Sequence, residues 1–152
     1  MENKISKLRE LMKKNFIDTY IITKFDPHQS EYADEYFNSV KFISGFTGSN
    51  AIVVITMEKE CLWTDGRYTL QASEQLKNTN FEIFNISNSE TEDFKEFIFN
   101  NTKNNGTVGF DGKTVSFNEI NKLKTLIQKK NIKLKSDIDL INEIWENRPP
   151  IS

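Results

Sequence analysis

The stretch from Ala51 to Tyr68 reads Ala-Ile-Val-Val-Ile-Thr-Met-Glu-Lys-Glu-Cys-Leu-Trp-Thr-Asp-Gly-Arg-Tyr, and it decides the fold class. Its two apolar runs, Ala51 to Thr56 and Cys61 to Thr64, are rich in β-branched and aromatic residues and are predicted to be strands. The mostly polar connection from Met57 to Glu60 has the length of a hairpin loop. A helix is predicted directly afterwards, from about Tyr68 to Leu76. A hairpin therefore leads into a helix.

The sequence on either side of this hairpin alternates between strand and helix patterns. Apolar residues recur at helical spacing in the first segment, at Ile5, Leu8, Leu11 and Met12, with charged residues between them. The other predicted elements are a strand at Asp18 to Thr23, a short helix at Ser39 to Ile43, a strand at Phe81 to Ile86, a helix marked by Phe94, Phe97 and Ile98, a strand at Thr107 to Asp111, a helix marked by Phe117, Ile120, Leu123 and Ile127, a strand at Ile132 to Lys135, and a last helix near Ile138 to Trp145. This order predicts an α/β fold, with a mixed sheet of about six strands flanked by helices on both faces.

Two helix starts carry a local capping signal. Ser89 with Glu92, and Ser116 with Glu119, each form a Ser-x-x-Glu pattern ahead of apolar periodicity. In this capping box the side chains accept hydrogen bonds from the unpaired amides of the first turn. We therefore expect Ser89 and Ser116 to cap the helices that follow.

Composition excludes several classes of function. The chain has 152 residues, 37% of them hydrophobic, and can bury the core of one domain. Its net charge of -2 provides no general attraction for nucleic acid or anionic lipid. The single cysteine, Cys61, precludes an internal disulfide, and a buried thiol is expected there rather than a nucleophile. No apolar run is long enough to span a membrane and the N-terminus lacks a signal-peptide core, so a cytoplasmic location is expected.

The glycine-rich stretch Gly45-Phe46-Thr47-Gly48-Ser49 is predicted to be a turn. A phosphate-binding loop would require a Gly-Lys-Ser/Thr sequence and would open a helix, whereas this stretch leads into a strand. The glycines are expected to allow positive φ or a close approach of the backbone. Phe46 either packs inside or is exposed at an interface, and an exposed Phe46 would be a first candidate for subunit contacts.

Arg67 and His28 are the candidate functional side chains that the residues alone suggest. Arg67 lies on the turn from strand to helix, where its planar fork of donors suits carboxylates and peptide carbonyls. Two roles are open to it, recognition of a ligand or an ion pair with Asp65, and Asp65 is also a candidate cap for the next helix. His28 has the one imidazole, which serves either as an acid or base or as a structural hydrogen-bonding group. No His or Cys spacing predicts a metal site.

Three blocks of sequence, taken together, resemble a known family. They are Asp26 to Tyr32 (Asp-Pro-His-Gln-Ser-Glu-Tyr), Ser44 to Ser49 (Ser-Gly-Phe-Thr-Gly-Ser) and Trp63 to Ala72, which contains Asp-Gly-Arg-Tyr. In this order they resemble the N-terminal domain of three-domain Xaa-Pro aminopeptidases (aminopeptidase P), and the closing Ile144 to Pro149 resembles the end of that domain. The resemblance implies a creatinase-type, ribonuclease H-like α/β domain over residues 1–147. Residues 148–152 would then begin a linker.

The resemblance also implies a function. Enzymes of this family release the N-terminal residue from peptides with proline second, and they use two metal ions, usually manganese, bound by a later pita-bread domain. None of those ligands maps onto this chain, so we expect this domain to bind no cofactor and to be inactive alone. Arg67 would bind substrate, with His28 and Tyr68 in its surroundings, and no residue here would be catalytic or bind metal. The implied partners are proline-containing peptides, downstream domains of the same polypeptide and further copies in a homo-oligomer, without nucleic acid or membrane.

Two alternatives share this architecture. A prolidase-like dipeptidase would require a free carboxylate directly after proline. A non-enzymatic peptide- or histone-binding module would lack the metal ligands in the later domain. The presence or absence of the metal ligands in the rest of the reading frame distinguishes an enzyme from the binding module. Comparing a dipeptide with a longer Xaa-Pro-Xaa substrate distinguishes an aminopeptidase from the dipeptidase.

Overall fold

The computed structural model describes residues 2–25, 38–48, 50–88, 90–110, 117–136 and 138–146. This part of the chain contains six strands and six α-helices, which alternate except at the consecutive strands β2 and β3: α1 (Glu2–Lys14), β1 (Thr19–Phe25), α2 (Ser39–Ser44), β2 (Asn50–Thr56), β3 (Glu60–Thr64), α3 (Thr69–Gln75), β4 (Glu82–Asn85), α4 (Phe94–Asn101), β5 (Thr107–Phe110), α5 (Phe117–Ile127), β6 (Lys133–Lys135) and α6 (Leu140–Ile144). This order confirms the predicted α/β pattern.

The strands form one six-stranded sheet in the order β4-β3-β2-β1-β5-β6. The predicted hairpin is confirmed, because β2 pairs antiparallel with β3, with Ile52 opposite Trp63. Strand β2 also runs antiparallel to β1, whereas the other three pairings are parallel. Five strands therefore end at the same side of the sheet, where β2 begins. We call this side the carboxyl edge.

Helices cover both faces of the sheet, as predicted. Alternate strand residues such as Val53 and Leu62 face a core that also contains buried side chains of α1, α2, α3 and α6. Their neighbours, such as Val54 and Trp63, face a second core against α4 and α5. Strands β2 and β3 are buried on both sides, which explains why their sequences are nearly continuous apolar runs rather than alternating ones.

The helix α4 is capped differently from the prediction. Its N-cap is Asp93, whose side chain accepts a hydrogen bond from the backbone N–H of Lys95 at 2.6 Å. The prediction that Ser89 caps this helix is wrong, because Asp93 lies directly before the first turn and supplies an equally good acceptor there. The other predicted cap, Ser116, lies outside the described residues. Its proposed partner, Glu119, accepts a hydrogen bond from the Lys95 ammonium at 3.1 Å.

Candidate functional site

The turn that follows β3 is held by its own backbone and by one carboxylate. The Tyr68 N–H donates to the Asp65 carbonyl at 3.0 Å, which closes the turn before α3. The N-cap of α3 is Tyr68 and has no side-chain capping bond, so the suggestion that Asp65 caps this helix is wrong. Asp65 Oδ1 instead accepts the Arg67 N–H at 2.9 Å. This hydrogen bond, two residues along the chain, orders the turn on which Arg67 lies.

Arg67 and Asp65 form a two-point ion pair. Arg67 Nε donates to Asp65 Oδ1 at 3.1 Å, and Arg67 Nη2 donates to Oδ2 at 3.1 Å. The hydrogen bond from Arg67 is the main reason that the pKa of Asp65 falls below its ordinary value, and the Asn50 side chain contributes a further hydrogen bond. The pKa of Arg67 is raised by the same hydrogen bond. The ion pair that the sequence left open is therefore present.

The ion pair leaves part of the guanidinium accessible. The Arg67 side chain is 64% exposed, against 21% for Asp65. Within the described residues, the Arg67 Nη1 group has no hydrogen-bond partner. As far as the described residues go, the Nη1/Nη2 side of the fork is free to donate to another group. An ion pair and a recognition role are compatible at this residue.

An aromatic pair links this turn to the loop after α2. The Arg67 guanidinium carbon lies 5.3 Å from the centre of the Tyr68 ring, at cation–π distance. The Tyr68 ring in turn meets the Phe46 ring edge-on, with 6.4 Å between their centres. Phe46 is completely buried, so the expectation that an exposed Phe46 makes subunit contacts is wrong. Its ring lies beside Gly48 of the loop and packs against the ring of Tyr68, which it thus supports.

Hydrogen bonds join the same loop to α3. The Thr47 N–H donates to Gln75 Oε1 at 3.0 Å, and Thr47 Oγ1 accepts from Gln71 Nε2 and Gln75 Nε2 at 2.9 Å each. Sequence reasoning missed this cluster. The spacing of Gln71 and Gln75, four residues apart, places both on one helix face and was the available signal. Through these contacts, two of the three blocks noted in the sequence form a single unit.

The unit lies at the carboxyl edge of the sheet. The Thr64 hydroxyl, at the end of β3, donates to the Asn50 carbonyl at 2.7 Å, where β2 begins. A side-chain carbon on Gly66 would lie 3.3 Å from Nδ2 of Asn85, at the end of β4. Crevices outside the carboxyl ends of strands are the usual ligand sites of open α/β sheets. Arg67 therefore lies at the edge of the sheet where such sites are found, and its role in binding substrate stays a prediction.

The third block, including His28, lies outside the described residues. Strand β1, which precedes it in sequence, ends at Phe25 on the same carboxyl edge. Tyr68 lies directly beside Arg67, as the predicted surroundings of a site require. The assignments of His28 and Tyr68 to those surroundings stay predictions.

Cys61 is a buried thiol, as predicted. Its residue is fully buried in β3. Burial, followed by the charge of Glu82, raises the pKa of the Cys61 thiol to about 12. The thiol is therefore protonated at neutral pH and is a poor nucleophile.

In the part of the chain that the structure describes, no three His, Cys, Asp or Glu side chains come together as a metal site would require. The described part of the chain therefore does not fit a metal centre. No helix of the described ranges is both long and apolar enough to cross a membrane.

The chain is similar to known proteins in both sequence and structure. It is 38% identical to aminopeptidase P2 of Arabidopsis thaliana over 99% of its own length and 22% of that protein. It is 34% identical to Xaa-Pro aminopeptidase 1 of Dictyostelium discoideum over 97% of its length and 24% of that protein. The chain thus spans about a quarter or less of the curated relatives it matches.

Among solved structures, the X-prolyl aminopeptidase of Caenorhabditis elegans, described as a cytosolic enzyme with a di-nuclear active site, superposes with a TM-score of 0.86 at 29% identity, over 99% of this chain and 26% of that one. The N-terminal domain of the cytoplasmic peptidase PepQ from Mycobacterium tuberculosis has the same fold, with a TM-score of 0.70 at 19% identity over 93% of this chain and 98% of that one. The model of the Creatinase/Prolidase N-terminal domain matches residues 4–144, and the chain belongs to this family.

Proposed function

We propose that this chain is the N-terminal, non-catalytic domain of a metal-dependent Xaa-Pro aminopeptidase, which releases the N-terminal residue from peptides with proline second. Support comes from its 38% identity to aminopeptidase P2 of Arabidopsis thaliana and its likeness to the X-prolyl aminopeptidase of Caenorhabditis elegans. The matched region is 22% of the first protein and 26% of the second. The peptidase reaction is accordingly assigned to the full-length protein, and this domain alone is expected to be inactive.

The contribution of this domain is substrate binding through Arg67. The observation that carries this proposal is the accessible Nη1/Nη2 side of a guanidinium that Asp65 already holds in place. A guanidinium edge donates two parallel hydrogen bonds to one acceptor group, such as a peptide carbonyl or a carboxylate. Arg67 would orient the peptide and help to shape the substrate pocket, without taking part in bond cleavage. Tyr68 and His28 would lie in the surroundings of this contact.

The metal in this proposal is a pair of manganese ions, whose chemistry is to activate water for attack on the peptide bond. The di-nuclear active site described for the Caenorhabditis elegans protein supports two metal ions. Because the described residues of this chain do not fit a metal centre, none of them is assigned to metal binding. The role of this domain is limited to peptide binding and to contacts with other parts of the protein.

Location and assembly extend the same proposal. A cytoplasmic location is supported by the description of the Caenorhabditis elegans protein as a cytosolic enzyme. We expect the full-length protein to be a homo-oligomer, with this domain making subunit contacts that do not involve the buried Phe46. Light scattering on the purified full-length protein measures its mass directly, and a monomeric mass would contradict the assembly.

The prolidase-like and histone-binding alternatives are not favoured, because the relatives named above are aminopeptidases.

The experiment that tests the function compares Arg67→Ala with the unchanged full-length protein on an Xaa-Pro-Xaa peptide with manganese. Losing a charge-assisted hydrogen bond of about 1.5 to 3 kcal/mol is expected to raise KM by about 10- to 100-fold. The value of kcat and the bound metal should change little, because Arg67 contacts substrate before and during the reaction alike.

A matched control is Lys77→Ala, which removes another exposed cation. Lys77 lies just beyond α3 and pairs with Glu74 in that helix. It should leave KM unchanged. An Arg67→Ala protein with normal KM would contradict the binding role. Absence of any turnover by the full-length protein would contradict the aminopeptidase function, and turnover by the isolated domain would contradict its non-catalytic role.

A further inference from the structure

We propose that Asp65 is a specificity-determining residue, which makes Arg67 accept an uncharged peptide carbonyl in preference to a free carboxylate. The inference rests on the proposed substrate-binding role of Arg67. It concerns the chemical class of the group that Arg67 recognises, rather than whether Arg67 binds substrate.

The first step is the direction from which a ligand approaches. Asp65 occupies the Nε/Nη2 side of the Arg67 guanidinium with both carboxylate oxygens, at 3.1 Å each. Its Oδ1 also accepts the Arg67 backbone N–H at 2.9 Å, so the carboxylate is fixed to the same turn as the arginine. An incoming acceptor is left with the Nη1/Nη2 side of the fork. Asp65 thus acts as a positioning residue for the donors that face the ligand.

The second step is charge. Asp65 is ionised at neutral pH, as an aspartate ordinarily is, and its hydrogen bonds with Arg67 and Asn50 lower its pKa further. The pair therefore has no net charge, whereas an arginine alone would attract an anion. A substrate carboxylate that reaches the Nη1/Nη2 side would also approach the Asp65 carboxylate and be repelled by it. A peptide carbonyl receives the same hydrogen bonds without this repulsion.

The third step is the consequence for substrates. On the peptide backbone a free carboxylate occurs only at the C-terminus, whereas neutral carbonyls occur all along the chain. Peptides that continue past the residue bound at Arg67 should therefore bind better than peptides that end there. Converting a C-terminal acid to its amide should improve a substrate of that length, because this change removes the charge and keeps the carbonyl.

The test uses the full-length protein and matched substrate pairs. Xaa-Pro and Xaa-Pro-Xaa are each prepared as the free acid and as the C-terminal amide, and kcat/KM is measured for all four. For at least one length, Asp65→Asn is expected to shift the acid-to-amide ratio of kcat/KM toward the acid by about three- to tenfold, the effect of one nearby charge in partly exposed surroundings. Asparagine keeps the shape of the side chain and an oxygen for the Arg67 N–H, so the turn is retained.

Two further variants separate charge from structure. Asp65→Glu keeps the negative charge and should keep the wild-type ratio, even if KM changes for all substrates. Glu74→Gln removes an exposed carboxylate from α3 and should leave both the ratio and KM unchanged. A ratio that moves with Asp65→Asn alone supports the inference.

Equal losses on acid and amide in Asp65→Asn, at both lengths, would mean that Asp65 only stabilises the turn, and would overturn the inference. Failure of the proposed function looks different: Arg67→Ala would then leave KM unaltered, or the wild-type protein would cleave none of the four peptides. Either result removes the inference together with the function on which it rests.

Discussion

Gly48 leaves the space that the ring of Phe46 occupies. A Cβ atom on Gly48 would lie 2.2 Å from Cζ of Phe46 and 2.7 Å from its Cε2, far inside van der Waals contact. The ring in turn meets Tyr68, which lies beside Arg67. The second glycine of the Gly-Phe-Thr-Gly loop is therefore needed for close packing, and this packing supports the turn that presents Arg67.

We predict that Gly48→Ala lowers the free energy of unfolding by about 1 to 3 kcal/mol, because the added methyl group must displace a buried aromatic ring. Urea denaturation of this chain measures the change. A matched control is Gly66→Ala, whose new carbon would first meet the Asn85 amide nitrogen at 3.3 Å, a tight contact without the overlap found at Gly48. An equal loss of stability in both variants would contradict the role of ring packing.

The sheet was predictable from sequence because its central strands are buried on both faces. Strands β2 and β3 are entirely or almost entirely buried, so their apolar runs are continuous and stand out from the polar connection between them. The start of α4 was not predicted correctly, since several acceptors precede the helix and Asp93 supplies the cap. Local sequence identified the helix, but it did not decide between neighbouring caps.

The site was only partly predictable for a related reason. Arg67 was identified from its position between a strand and a helix, and the ion pair with Asp65 follows from two residues on one turn. The burial of Phe46 depends on a ring entering the space beside Gly48, which no periodicity within a five-residue loop can indicate. Contacts between Thr47 and α3 join segments 24 and 28 residues apart in sequence. Such contacts depend on the tertiary fold.

The buried Cys61 thiol should make the free energy of unfolding depend on pH. Burial raises its pKa to about 12 from the ordinary value of 9.0, so the folded protein retains this proton at a pH where the unfolded chain releases it. Its contribution to stability is fully present below about pH 9 and is lost as the pH rises toward 12, by up to about 1.4 kcal/mol per pH unit. The difference in unfolding free energy between the wild type and Cys61→Ala should therefore shrink across this range.

The same burial should protect Cys61 from thiol reagents. At pH 8 the folded protein should react very slowly, and unfolding in urea should restore ordinary thiol reactivity. A fast reaction without unfolding, or a stability difference from Cys61→Ala that does not change between pH 9 and 12, would contradict the raised pKa.

Asp93 should contribute to stability mainly as a cap of α4. Its Oδ1 accepts the Lys95 N–H, and its Oδ2 lies 3.2 Å from the Lys95 ammonium. We expect Asp93→Ala to lower the free energy of unfolding by about 1 kcal/mol, and Asp93→Asn to lower it much less because asparagine also caps helices. Thermal and urea unfolding measure both variants. Equal losses would assign the effect to the ion pair with Lys95 rather than to the cap.

The Tyr20 hydroxyl joins the central strand to the last helix, and its removal should loosen that helix. Tyr20 is 1% exposed, its hydroxyl donates to the Ile138 carbonyl at 2.7 Å, and it accepts the Leu140 N–H at 3.1 Å. Tyr20→Phe keeps the ring in the core but deprives both backbone groups of this partner, at an expected cost of about 1 to 3 kcal/mol. Because Leu140 begins α6, hydrogen exchange at its amide should accelerate more than exchange in β2.

A control variant is Thr125→Val, which removes an exposed hydroxyl bonded within α5. It should change neither the exchange at Leu140 nor the stability appreciably. If Tyr20→Phe left the protection of the Leu140 amide intact, α6 would be held mainly by the packing of its apolar side chains.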